Sequence, residues 1–307
     1  MIIFRADVSP RTGLQHVRCC AYLASLLKKN SQVLICSRED KKTSKFLAER
    51  SIPTALGKDP GAMDLAGVTA VIFDLPHFSA PDSALLEKAK KAGIKTFQIV
   101  PPGGETQPVD FQVAGAEFAL LHHKFRHFNQ AKRKYHKNIK NIFINLGNLL
   151  PYRDLRAVVD TLHRLRFKMK IAPGLDLKKA DKRNLMKIYP GIHFCGKSES
   201  PARAYFEADL ALVPAGEEAW EAAVVGTPAL YMPMEKGDDA WIKNCSRLGI
   251  GIPFPSLPDL SVQFIRDVLV PLALEHRQQM GEAGKKLVDG LGVQRFFKIL
   301  KENGIIV

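Results

Sequence analysis

Short apolar runs of strand length alternate with helix-length stretches along nearly the whole chain, and that alternation leaves few folds open. Runs at 2–4, 33–36, 68–73 and 96–100 are rich in Ile, Val and Phe. Stretches at 17–29, 43–50 and 80–92 place apolar residues three or four apart, the period of a helix buried on one face. Continuous apolar strands joined by crossover helices predict a parallel sheet covered on both sides. The pattern weakens over 101–118 and restarts at 141–147, a strand running into Gly147. A helix at 154–167, strands at 168–172, 193–194, 210–213 and 227–232, and a helical stretch from 257 onward follow. The expectation is an α/β chain of two parallel-sheet domains, 1–135 and 136–307, joined by a charged connector near 130–138. Loops at the carboxyl ends of both sheets would face a cleft, a natural place for a ligand. No internal repeat is visible.

A chain of 307 residues suits two domains of ordinary size. With 46% hydrophobic and 25% charged residues, disordered and collagen-like classes are excluded. No apolar run reaches the roughly 18 residues that span a bilayer. The first residues carry an acid early and lack a small-residue cleavage site, so a cytoplasmic protein without membrane insertion is expected. Cys19, Cys20, Cys36, Cys195 and Cys245 have neither metal-ligand spacing nor an even count, and read as reduced, partly buried thiols. Asp238 and Asp239 lack a third ligand at useful spacing, so no metal is expected.

The formal net charge of +14 favours anionic partners. Lys124, Arg126, Lys132, Arg133, Lys134, Lys137, Lys140 and Arg153, with His122, His123, His127 and His136, occupy a stretch without a single acid. Such a run is a solvated helix face or a phosphate-attracting surface. Phe118, Phe125, Phe128 and Tyr135 interleave with it, as in some RNA binders. Their spacing equally suits packing against the N-terminal domain, which is the reading taken here, and no nucleic-acid partner is expected. Trp220 and Trp241 read as core residues.

The loop after the first strand holds Asp7, Ser9, Gly13, His16 and Arg18. A glycine turn entering a helix exposes backbone N–H groups at the positive end of the helix dipole. A histidine in that first turn has the right intrinsic pKa for a general base on water, or it simply caps and packs.

Phe4, Arg5, Asp7, Ser9, Gly13, His16 and Arg18 together resemble the opening motif of the UDP-2,4-diacetamido-2,4,6-trideoxy-β-L-altropyranose hydrolases of pseudaminic acid biosynthesis, with Gln15 replacing a glycine. The stretch from Gly115 through Leu120 and Leu121 to Phe125 is similar to the family's pre-linker motif. So are Trp220, Glu221, Gly226 and Pro228 to its ribose-binding helix and turn, and Asp289, Gly292 and Arg295 to its C-terminal motif. The matches run in family order. The resemblance implies the GT-B fold, shared with the peptidoglycan N-acetylglucosaminyltransferases, and an enzyme that hydrolyses a UDP-sugar with inversion and without cofactor or metal. It assigns His16 as the base and places Asp7, Gly13, Arg18 and Asp74 at the sugar. Gly147, Asn148, Gly216, Glu217 and Glu221 would hold the nucleotide, with N–H groups near Gly216 on the diphosphate and Glu221 on the ribose. An inverting glycosyltransferase and a non-catalytic descendant with a degraded nucleotide site are the alternatives.

Several positions depart from the family pattern. Asn148 stands where a second glycine is usual, and Leu75-Pro76 follows Asp74 where a tyrosine belongs, with His77 or Phe78 as its substitute. Gly237-Asp238 replaces an Asn-Gln pair. Ala215-Gly216-Glu217-Glu218 replaces the hydroxyl that would meet phosphate. A carboxylate there competes with the diphosphate for the same N–H groups. At about 4 Å and an effective dielectric near 20, one such pair costs up to roughly 4 kcal/mol, more than 100-fold in affinity.

Overall fold

The apolar runs form two separate parallel sheets. A computed structural model describes the chain except residues 9–12, 102–103, 148–149, 175–176, 197–198, 235–236 and 270. It divides into two compact units, Met1–Leu121 with Leu291–Val307, and His122–Gly290.

The first unit runs β1 (Ile2–Ala6), α1 (Gln15–Leu27), β2 (Val33–Ser37), α2 (Lys41–Ala48), β3 (Thr54–Leu56), β4 (Ala70–Asp74), α3 (Ala80–Lys91), β5 (Lys95–Ile99) and β6 (Phe111–Val113). All neighbours are parallel, in the order β3-β2-β1-β4-β5-β6. Ile3, Phe4, Ile72 and Phe73 are fully buried, as strands covered on both faces require. The helix starts are written locally. Asp40 accepts from the N–H of Lys42 and Thr43 at 2.9 Å, and Ser79 with Asp82 forms a capping box on α3.

The second unit runs α4 (His123–Gln130), β7 (Asn141–Ile144), α5 (Tyr152–Arg164), β8 (Lys168–Ile171), α6 (Lys179–Ile188), β9 (Ile192–Phe194), α7 (Pro201–Glu207), β10 (Leu210–Pro214), α8 (Glu218–Val224), β11 (Ala229–Met232), α9 (Asp238–Arg247), β12 (Gly251–Pro253), α10 (Val262–Leu269) and α11 (Leu274–Leu287). Its sheet order is β12-β11-β10-β7-β8-β9. In each unit the chain adds strands on one side and then returns to the other side of its first strand. The order therefore reverses between β1 and β4, and again between β7 and β10.

The unit boundary differs from the expected 135/136. The basic connector belongs wholly to the second unit, because its side chains anchor there. Arg133 donates to the carbonyls of Phe206 (2.7 Å) and Ala208 and to Thr227 Oγ1 (3.1 Å), closing the end of α7. Tyr135 Oη donates to Gly226 O at 3.0 Å, and Asp209 accepts from His136 at 2.8 Å and from the Lys140 N–H at 2.9 Å. Phe125 faces Tyr205, and Phe128 lies 4.9 Å from Phe206. Phe118 packs on the core of the first unit, while Phe125, Phe128 and Tyr135 meet Tyr205, Phe206 and Gly226 of the second, which corrects the expected docking of all four aromatics on the N-terminal domain. Between these anchors Lys132 and Lys134 are exposed.

The last helix, α12 (Gly292–Glu302), returns to the first unit, where Val293, Phe296 and Leu300 join its core. Gly292 is required there, since a Cβ would run into the backbone carbonyl of Ala119. Arg295 donates to Glu117 O at 2.8 Å. The Gly292 and Arg295 of the C-terminal motif thus fasten this return crossing.

Candidate active site

The parallel register sets Ala6 beside Asp74, so β1 and β4 end together at the reversal of strand order. Open α/β sheets bind ligands outside their carboxyl ends at such a reversal. Gly13, with φ of +56°, turns the chain into α1 and puts His16 in its first turn. His16 Nδ1 lies 2.6 Å from Asp74 Oδ1, and the two side chains are 2% and 0% exposed. One turn on, Cys20 Sγ lies 3.8 Å from Asp74 Oδ2. A carboxylate only accepts, so the Nδ1 proton belongs to the imidazole, and in the neutral ring the lone pair then falls on Nε2. This is the orientation of a general base held by an acid.

A second network frames these strand ends. Arg5, 1% exposed, grips Asp7 with two bonds of 2.5 and 2.6 Å and donates Nε to Asp82 Oδ1 at 2.6 Å. Burial disfavours the Arg5 charge, but Asp7 and Asp82 more than offset it and raise its pKa. Burial also pushes the Asp7 carboxyl up. Its bonds from Arg5 and from the Arg38 N–H at 2.7 Å outweigh that and hold it below its ordinary value.

In the second unit, β7 and β10 end side by side at the other reversal. Gly147 has φ of +59°. The Glu218 carboxylate comes within 3.0 Å of where a Cβ on Gly216 would stand and 3.7 Å of the equivalent point on Gly147. Asn145 Nδ2 donates to Tyr205 Oη at 2.9 Å and to Glu221 Oε2 at 3.3 Å. Burial, then the Glu221 and Glu218 charges, push the Tyr205 hydroxyl well above its usual pKa, which keeps it neutral. A mainly apolar cavity of about 90 Å³ lies beside Gly147, lined by Leu146, Leu150, Tyr152, Ala172 and Asp181 among others.

No protein-family model and no curated protein sequence matches the chain. Solved structures do. MurG of Acinetobacter baumannii superposes with a TM-score of 0.67 at 15% identity, over 98% of this chain and 99% of that one. The glycotransferase of kitacinnamycin follows at 0.64 and 13%, covering 98% of each chain. A UDP-N-acetylglucosamine 2-epimerase matches at 0.59 and 11%, over 99% and 96%. The fold is GT-B.

Within this GT-B chain the expected site residues fall into three groups. Gly13, His16 and Asp74 come together at the β1/β4 reversal, with Asp74 bonded to the histidine it was expected merely to accompany. Gly147, Gly216 and Glu221 gather at the β7/β10 reversal, joined by Glu218, and Glu217 sits at the N-cap of α8. Two residues have other surroundings. Arg18 is exposed with its guanidinium 5.9 Å from the Phe46 ring, and both Asp7 oxygens are engaged by Arg5. Ser9 and Asn148 lie outside the described residues.

Of the two residues expected to replace the missing tyrosine, Phe78 packs on Phe73 at 4.8 Å, and His77 is exposed, 3.5 Å from Glu105. Asp238 is 5% exposed and accepts from the Met234 N–H at 2.8 Å, closing its own turn. Trp220 and Trp241 are half-buried and pack edge to face at 5.8 Å. His122 is exposed and accepts from the Lys124 N–H at 3.3 Å. Among the described residues no group of His, Cys, Asp and Glu could hold a metal, and no helix is long and apolar enough to cross a membrane. Sequence reading missed the Arg5–Asp82 pair, although Ser79-x-x-Asp82 carried the signal of a capping box.

Proposed function

We propose that this chain is a nucleotide-sugar enzyme that cleaves the anomeric C–O bond of a UDP-sugar with inversion, water being the acceptor. The His16–Asp74 pair carries the reading. Asp74 fixes the imidazole tautomer and would stabilise the imidazolium formed when Nε2 takes a proton from water. The oxygen then adds to the anomeric carbon as UDP departs. Because His16 is almost fully covered, reaction requires a substrate-bound arrangement more open than the one described. The ordered motif matches point to a UDP-diacetamido-trideoxyhexose of the pseudaminic acid type. The UDP-N-acetylglucosamine 2-epimerase among its fold neighbours supports the broader class.

Product analysis tests this reading. Incubation with UDP-sugar alone should yield free sugar and UDP. Turnover that appears only with an added sugar acceptor would make the protein a glycosyltransferase using the same base. A non-catalytic reading is favoured by the Glu218 carboxylate between Gly147 and Gly216, and absence of UDP release from any donor would establish it.

A further inference from the structure

The crevice between β7 and β10 has the backbone of an anion site, and among the described residues two carboxylates stand at it. Strand order reverses there, which parts the loops and makes room for a ligand. Glycines stand beyond both strands, at 147 and 216, and backbone without a Cβ allows close approach of a phosphate. That room is filled from within the chain. One oxygen of Glu218 lies 3.0 Å from the Cβ position of Gly216 and the other 3.7 Å from that of Gly147, so a single carboxylate bridges the pair. Glu221, held by Asn145 at 3.3 Å, adds a second negative charge to the same strand ends.

We propose that Glu218 determines the charge of ligand this crevice accepts: its carboxylate occupies the place between Gly147 and Gly216 that a ligand phosphate would take, and a diphosphate binds only by displacing it. This rests on the nucleotide reading above and names the residue that sets its specificity.

The test is calorimetric titration of the full chain, at low salt, with UDP and with uridine. Wild type is compared with Glu218→Gln, which keeps the volume and removes the charge, and with Glu218→Ala, which removes both. Asp267→Asn on α10 supplies the same charge change outside the crevice. The expected result is UDP binding at least tenfold tighter in both Glu218 variants, with uridine affinity and the Asp267→Asn protein within twofold of wild type. Equal UDP affinity in wild type and both Glu218 variants overturns the inference and leaves the nucleotide reading standing. If the Glu218 variants are folded by circular dichroism and no protein in the set binds UDP, the nucleotide reading falls and the inference with it.

Discussion

Asp74, at the last position of β4, receives the Nδ1 proton of His16 from the first turn of α1 at 2.6 Å, with both side chains buried. The two residues are 58 positions apart in sequence and meet because β1 and β4 are adjacent parallel strands. Away from bulk water, a charge-assisted bond of this kind is stronger and more sharply directional than a surface one. It holds one imidazole tautomer, and that constraint governs the first consequence.

Asp74→Asn keeps the shape of the pair while removing its charge and offering the imidazole either an acceptor or a donor. We expect UDP release to fall at least tenfold in kcat with KM changed less than threefold. A proportional loss in KM alone would assign Asp74 to substrate binding instead of to positioning His16.

Arg5 and Asp7 should set the acid limb of stability in the first unit. A carboxyl whose folded pKa is depressed adds stability above its unfolded value, about 4, and loses it as pH falls through the folded value. Asp7→Asn removes one of the two carboxylates on buried Arg5, Asp82 remaining, and should cost about 1.5–3 kcal/mol at pH 7. Urea unfolding measured from pH 7 down to pH 2.5 should show a shallower acid limb in the variant.

Arg133 should be a structural residue of the second unit, despite lying in the most basic stretch of the chain. Its guanidinium serves the Phe206 and Ala208 carbonyls and Thr227, and burial pushes its pKa down to about 10. Arg133→Ala should destabilise by about 2–4 kcal/mol through the acceptors left unpaired. Lys134→Ala, at an exposed neighbour, should shift the same unfolding curve by less than about 0.5 kcal/mol.

Gly292→Ala should loosen the return of α12 to the first unit, because the added Cβ meets the Ala119 carbonyl. A loss of about 1–3 kcal/mol is expected. Hydrogen exchange should localise the change to α12 and residues 115–120, with the second unit protected as before.

Periodicity made most of this fold legible, since strands such as 33–36 and 96–100 and the helix at 80–92 advertise themselves by apolar spacing. The edge strands β3, β6 and β12 are three residues each, too short to show any period. Spacing also identified Phe125, Phe128 and Tyr135 as a packed face but not the sheet that receives it, because a linker's helix fits either neighbour. His16, Gly13 and Asp74 could be singled out in the sequence, whereas the pairing of His16 with Asp74 depended on strand order. Glu217 was singled out at this turn from the sequence, and Glu218, the first residue of α8, is the carboxylate that stands beside both glycines. Arg5, Asp7 and Asp82 show the opposite limit. The resemblance placed Asp7 at the sugar, and only the buried geometry reveals that the three satisfy one another.

The most direct test of the His16–Asp74 proposal is UDP release from saturating UDP-diacetamido-trideoxyhexose by wild type and by His16→Asn, with circular dichroism to show that both are folded. The account predicts UDP and free sugar from wild type and a kcat at least 100-fold lower in the variant. Unchanged release in His16→Asn, or none from wild type with any UDP-sugar, would contradict it.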